Sequence, residues 1–160
     1  MPTNRGFTLI EILIVIVIIG ITIGFAIIAY GDFGASRRLQ FAAEQLVNTV
    51  KLAQQQAILE SGTLGIRLNN SGYRILKYQN SSMQWQPISN KGVFKEKIFP
   101  KNTKIKLNAK SINNAPSIIL HAAGTMTPFT LTIGNNKEEN IIIITGHHNG
   151  NIQLNWASQK

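Results

Sequence analysis

Cysteine is absent from the 160 residues, which removes disulfide frameworks, zinc–thiolate sites and cysteine nucleophiles together. The absence leaves the compartment open, because an oxidising space permits disulfides without requiring them. Acidic residues are scarce: seven Asp and Glu stand against sixteen Lys and Arg, a formal charge of +9. Asp32 is the sole aspartate, and the histidines are His121, His147 and His148. A Ser-His-Asp triad would have to use Asp32, at the border of a long apolar run, and no G-x-S-x-G elbow occurs. No H-E-x-x-H, phosphate-binding loop or dinucleotide fingerprint is found. Adjacent His147 and His148 point to opposite sides of an extended chain and make poor joint metal ligands. Trp85, Trp156 and Phe129 read as core or sheet-edge aromatics. The expectation is a non-enzyme with no catalytic residue, no metal and no cofactor.

Charge is also missing where it matters most for the class. From Ile12 to Ala29 no residue is charged, and extending the run to Phe7 and Tyr30 adds only Glu11. Twenty-four residues in a helix span about 36 Å, enough for the hydrocarbon core of a bilayer. The many β-branched residues favour a strand in water, but a lone strand in lipid leaves its backbone groups unpaired, so a helix is expected. Gly20 and Gly24 have the small-xxx-small spacing that lets helices approach closely. A short polar leader, Met1 to Gly6 with Arg5, precedes the run, and no A-x-A site follows it. The anchor is therefore expected to be retained rather than removed as a secretory signal. Flanking charge pulls both ways, Arg5 and the starting amine against Arg37 and Arg38. Following the leader places the N-terminus in the cytosol and the C-terminal domain across the membrane.

Glu11 is the informative exception. A carboxylate at the centre of an apolar span disfavours insertion by about 2.5–3.5 kcal/mol, less near an end. An interfacial Glu reaching to headgroups is one solution. A positive charge supplied by another chain is the other.

Arg5-Gly6-Phe7-Thr8-Leu9-Ile10-Glu11, followed by an unbroken apolar run, resembles the class III signal of type IV pilins and type II secretion pseudopilins. The resemblance implies cleavage after Gly6 by a prepilin peptidase and N-methylation of the new terminal residue, Phe7. It also implies that Glu11 pairs with the terminal amine of a neighbouring subunit during assembly. Many members carry a proline that kinks the anchor near its end; here none occurs between Pro2 and Pro87.

Beyond Gly31-Asp32-Phe33-Gly34, which would loosen the helix at the membrane boundary, helical periodicity resumes. Leu39, Ala42, Ala43, Leu46, Val50, Ala53 and Ala57 recur at three- and four-residue steps and form one apolar stripe. Gly62 suits a C-cap. The stripe is expected to cover a sheet of the same chain, with a partner-helix surface as the alternative. From Thr63 on, Gly and Asn punctuate short apolar runs. The expected strands are Gly65–Leu68, Tyr73–Tyr78, Thr103–Leu107, Ser117–His121, Phe129–Ile133, Asn140–Thr145 and Asn151–Trp156. Turns are expected at 69–72, 134–136 and 148–150. The continuous run Ile141 to Ile144 predicts a strand covered on both faces. One long helix followed by an antiparallel meander is an α+β pattern. The expected order is a leader at 1–6, a transmembrane helix at 7–30, an amphipathic helix at 31–62 and a β domain at 63–160.

In the β region Gly72-Tyr73-Arg74, Trp85-Gln86-Pro87 and Thr127-Pro128-Phe129-Thr130-Leu131 resemble the GspH/FimT group of type IV pilin-like proteins. Within it they are most similar to the H-type minor pseudopilins of type II secretion. The resemblance implies a pilin-like fold in the inner membrane with a periplasmic β domain. The function it implies is that of a structural subunit of a short pseudopilus that helps folded proteins cross the outer membrane. It implies as partners other minor pseudopilins, the major pseudopilin, the prepilin peptidase, the inner-membrane secretion platform and the lipid bilayer. The rival is a FimT-like minor pilin that binds DNA for uptake. Ten basic residues lie between Arg67 and Lys110 against Glu96 alone. Of these Lys91, Lys95, Lys97, Lys101, Lys104, Lys106 and Lys110 are the candidate contacts for an anion or nucleic acid. The bland reading is a solvated lysine face. The Arg-rich C-terminal element associated with DNA-binding members is missing, since no Arg follows Arg74.

Overall fold

A computed structural model describes residues 8–89, 91–109, 115–136 and 141–157, with the backbone alone at 28–33 and 35. It divides into two compact units, Met1–Arg37 and Arg38–Lys160. Helix α1, Leu9–Leu59, contributes to both.

In the first unit Thr8 starts α1. Its hydroxyl accepts from the Glu11 backbone N–H at 3.3 Å, and its carbonyl accepts from the Ile12 N–H at 3.3 Å. Leu9–Ile27 has a mean hydropathy of 2.9 and is long and apolar enough to cross a membrane. Within the span the Thr22 hydroxyl donates back to the Ile18 and Ile19 carbonyls at 3.0 and 2.9 Å. Its polar atom is thus satisfied by its own helix, as an apolar medium requires. The backbone stays helical through Gly31 and Gly34. Each glycine disfavours the helix by only about 1 kcal/mol, and extending an existing helix is far easier than starting one. The expected loosening there does not break the element.

In the second unit Leu39, Ala43, Leu46, Val50, Ala53 and Ala57 are buried, and Ala42 is half-buried. The expected stripe therefore faces the core of its own chain. Ser61, not Gly62, takes the left-handed turn that ends α1, with φ 48°. The Gly62 N–H then reaches the Ala57 carbonyl at 2.9 Å and the Ser61 N–H the Ile58 carbonyl at 3.1 Å, so Gly62 sits one position past the cap.

Among the described residues nine strands follow: β1 (Leu64–Asn69), β2 (Gly72–Gln79), β3 (Gln84–Pro87), β4 (Lys97–Ile98), β5 (Lys104–Ala109), β6 (Ile118–Leu120), β7 (Phe129–Gly134), β8 (Ile142–Gly146) and β9 (Ile152–Trp156). All pairings among them are antiparallel, but they form two sheets rather than one meander. The first has the order β3-β2-β1-β6 with β4 also on β2, and the second β5-β7-β8-β9. Asn69 makes the β1–β2 turn: its side-chain oxygen accepts from the Ser71 and Gly72 N–H groups at 2.9 and 2.8 Å, the local bonding that favours Asn in turns. Strands β3 and β4 were not expected, because Gln, Lys and Pro dominate them.

Leu46, Val50, Leu64, Ile66, Ile75, Ile118, Leu120, Leu131, Ile133, Ile142 and Ile144 belong to one buried cluster drawn from α1 and both sheets. Burial of each Leu or Ile contributes about 1.5–3 kcal/mol. The run Ile141–Ile144 is not covered on both faces. Ile142 and Ile144 are buried, Ile141 and Ile143 only half-buried, so β8 alternates like a sheet with one face toward the core.

Tyr73 is buried, its hydroxyl 3.1 Å from that of Thr49, which in turn donates to the Gln45 carbonyl at 2.8 Å. Burial raises the Tyr73 pKa above its ordinary value, the Thr49 hydrogen bond opposing. The folded state thus holds this proton more tightly than the unfolded chain. The stabilisation is fully present below the ordinary tyrosine range and is lost as pH rises through the folded value. Tyr73→Phe is expected to lower stability at neutral pH by about 1 kcal/mol for the lost hydrogen bond. It is also expected to flatten the alkaline limb of a denaturation profile. An unchanged slope above pH 10 in the variant would disprove the assignment.

Candidate assembly interface

The sequence singles out Gly6, Phe7 and Glu11. Gly6 and Phe7 lie outside the described residues. Glu11 stands in the first turn of α1 and is exposed. Thr8 and Glu11 have the T-x-x-E spacing of a capping box, and one half of that exchange is made, from the Glu11 N–H to the Thr8 hydroxyl. A carboxylate here also faces the positive end of the helix dipole, which favours it by about 0.3–1 kcal/mol. The insertion penalty is itself smaller at the end of a span, where Glu11 lies, so the dipole offsets part of it. Sequence reasoning missed Thr8 as the cap, though the T-x-x-E signature was there to find it.

The candidate lysines are distributed over both sheets and the segments that join them. Lys91 sits in a loop, where its N–H donates to the Ser89 hydroxyl at 3.0 Å. Lys95 follows that loop, and Lys97 lies on β4 of the first sheet. Lys101 is exposed in a turn. Lys104 and Lys106 are exposed on β5, an edge strand of the second sheet, alternating with half-buried Ile105 and Leu107. Lys110 lies outside the described residues. Two carboxylates are already engaged elsewhere: Glu96 with Arg74, and Glu60 with Lys77 at 2.6 Å. The Lys77 hydrogen bond, helped by one from Gln56, holds the Glu60 carboxyl below its usual range. His121, His147 and His148 are exposed, and among the described residues no three metal-binding side chains gather.

One further side chain ties the turns of the domain to α1. Gln54 donates from Nε2 to the Gly124 carbonyl at 2.6 Å. A Cβ at Gly150 would fall 2.0 Å from that same nitrogen, and Gly150 has φ +85°. The two turns also meet directly, the Met126 N–H donating to the His148 carbonyl at 3.1 Å. No sequence signal marked Gln54, which reads as one of several helix glutamines.

Residues 1–27 match the family model described as the prokaryotic N-terminal methylation motif, and residues 42–153 match that of type II transport protein GspH. The chain is 27% identical over 151 residues to a type II secretion system protein H of Pseudomonas aeruginosa, covering 87% of this chain and 88% of that one. It is 28% identical over 141 residues to the protein of the same description from Escherichia coli K12, covering 84% and 83%. The crystal structure of the minor pseudopilin EpsH from the type II secretion system of Vibrio cholerae superposes with a TM-score of 0.67 at 18% identity. It covers 78% of this chain and 98% of that one. At that identity the likeness establishes the fold, a pilin-like helix followed by antiparallel sheets.

Proposed function

Because the chain belongs to the GspH family of type II transport proteins, we propose that it is a minor pseudopilin, a structural subunit of the pseudopilus that helps export folded proteins across the outer membrane. The observation that carries the reading is the pairing of two features in one chain. An N-terminal methylation motif opens onto an exposed apolar helix, and a family-specific β domain follows it. The activity is assembly. The anchor stores the subunit in the inner membrane with the β domain in the periplasm. Cleavage after Gly6 and methylation of Phe7 produce a cationic terminus, and Glu11 neutralises the terminus of a neighbour as helices pack. The partners are other minor and major pseudopilins, the prepilin peptidase and the secretion platform. This reading is preferred to nucleic-acid capture because no Arg follows Arg74, and the candidate contacts are lysines spread over two sheets and their loops.

Gly6→Ala is expected to block processing. The mature mass of the unaltered protein should lack residues 1–6 and carry one added methyl group, whereas the variant should keep the leader. Recovery of the unaltered protein from membranes with its first six residues attached, or without other pilin-like subunits on co-purification, would overturn the reading.

A further inference from the structure

The segment joining β3 to β4 is rich in lysine and leaves an aliphatic side chain uncovered. Lys91, Lys95 and Lys97 stand within it against one carboxylate, Glu96, and Glu96 is taken by Arg74. Among the described residues none of the three lysines has an ion-pair partner. Val93, in a single turn of 3-10 helix at Gly92–Phe94, is exposed. Its neighbour Phe94 is half-buried and packs on the core, so the turn is held in place and Val93 is displayed by it. Helix α1 continues this surface. Phe41, 68% exposed, and Leu52, also exposed, line one open groove of about 320 Å³ together with Val93 and Lys97. Glu44 borders the same groove and accepts from the Gln40 amide at 3.0 Å.

Exposed apolar side chains rimmed by charge mark a membrane or a protein surface. Three features choose the membrane. The basic groups are lysines, flexible point charges suited to a field of headgroups, whereas arginine forks grip single carboxylates. The apolar groups are few and surround an open groove. That suits shallow immersion at an interface, and it lacks the closed pocket that a protein's anchoring side chain fills. The bilayer is also near at hand. Residues 28–37 alone separate the apolar span, which ends at Ile27, from the second unit, which starts at Arg38. Fully extended, that stretch reaches about 40 Å. A tether so short raises the effective concentration of the surface, so weak contacts suffice. Gly31 and Gly34 lie within it, and glycine gives a helix its least costly points of bending.

We propose that the groove of Phe41, Leu52 and Val93, with Lys91, Lys95 and Lys97 around it, docks the β domain on an anionic bilayer surface. The apolar side chains enter the headgroup layer and the lysines meet lipid phosphates. The inference rests on the membrane anchor of the proposed function and adds a contact made by the β domain itself. Since the chain has no cysteine, Val93→Cys, Gln153→Cys on exposed β9 and Ile19→Cys in the apolar span each create a unique site for a small apolar fluorophore. The full-length variants are reconstituted in vesicles of phosphatidylcholine, with or without phosphatidylglycerol, that carry nitroxide-labelled lipid. Position 19 should be quenched in both, position 153 in neither, and position 93 strongly in the anionic vesicles and weakly in the neutral ones. Each lysine at an anionic surface strengthens binding about fivefold. Lys91→Gln with Lys95→Gln should therefore shift position 93 about 25-fold from docked to free, and added salt should act in the same direction. The equal-charge control, Lys104→Gln with Lys106→Gln on β5, should leave position 93 unchanged. Equal quenching of position 93 in neutral and anionic vesicles, or equal loss from the two lysine pairs, overturns the proposal. So does an unquenched position 93, which would leave the groove to a protein partner. Position 19 is scored separately. If it is unquenched, the membrane anchor fails and the docking with it; if it is quenched while position 93 is not, the docking alone is wrong.

Discussion

Gly72→Ala is expected to lower the stability of the β domain by about 3 kcal/mol, the upper part of the range for overpacking a tight site. A Cβ there would fall 2.0 Å from the Lys97 carbonyl oxygen, 3.0 Å from its carbon and 3.1 Å from the Ile98 Cα. These atoms are backbone and have no rotamer to escape into. They belong to β4, paired to β2 through Gly72↔Ile98 and Tyr73↔Lys97. Moving β4 also moves Phe99, which is buried, donates from its N–H to the Ser71 carbonyl at 2.9 Å and lies 5.7 Å, centroid to centroid, from the Tyr73 ring. Thermal unfolding of the detergent-solubilised chain should show a Tm about 6–12 °C below the parent. A shift under two degrees would mean that β4 is free to move away, contrary to the close pairing described.

The second large effect concerns Glu11. Glu11→Gln keeps the side-chain volume and leaves the Thr8 cap in place but removes the charge. Insertion into the membrane should be unchanged or slightly easier, because an amide is less unfavourable in an apolar span than a carboxylate. Recovery of the variant with other pilin-like subunits should fall tenfold or more, as about 1.4 kcal/mol of lost pairing already gives a factor of ten. The charge-assisted contact proposed between Glu11 and a neighbour's terminus would have at least that strength in a medium without water. Quantitative immunoblotting of co-purified complexes against the membrane-inserted pool measures the ratio. A variant recovered as efficiently as the parent would leave the Glu11 charge with its interaction with the helix dipole alone.

Much of this was legible in the sequence because it is periodic or punctuated. The stripe from Leu39 to Ala57 shows its three- and four-residue spacing directly, and Asn69-Asn70-Ser71-Gly72 marks the first hairpin. Strands β3 and β4 were hidden because a short edge strand is held by its neighbour's backbone and needs no apolar pattern; Gln84, Gln86 and Lys97 supply none. Two sheets were read as one meander because hairpins are local, whereas β1 meets β6 only through the fold. Ile141 to Ile144 suggested burial on both faces, but composition cannot say whether a second layer exists. Ser61 took the left-handed position expected of Gly62 because the cap is set by where the helix stops, one residue earlier. At the site, Glu11 stood out as a charge in an apolar run.

The pairing of β6 with β1 has a consequence for how the chain matures. Leu64, Gly65 and Ile66 lie against Leu120, Ile119 and Ile118, with four other strands between them in the chain. During synthesis the hairpin β1–β2 can form early, but its free edge waits for residues made much later, and contacts between such distant segments form in milliseconds to seconds rather than microseconds. For that interval Leu64, Ile66 and the α1 stripe lack their cover, the condition in which unfinished chains stick to one another. An apolar helix made first, and already lodged in lipid, would tether each nascent domain at its own place on the membrane. The leading segment would then protect the subunit before it ever joins a filament.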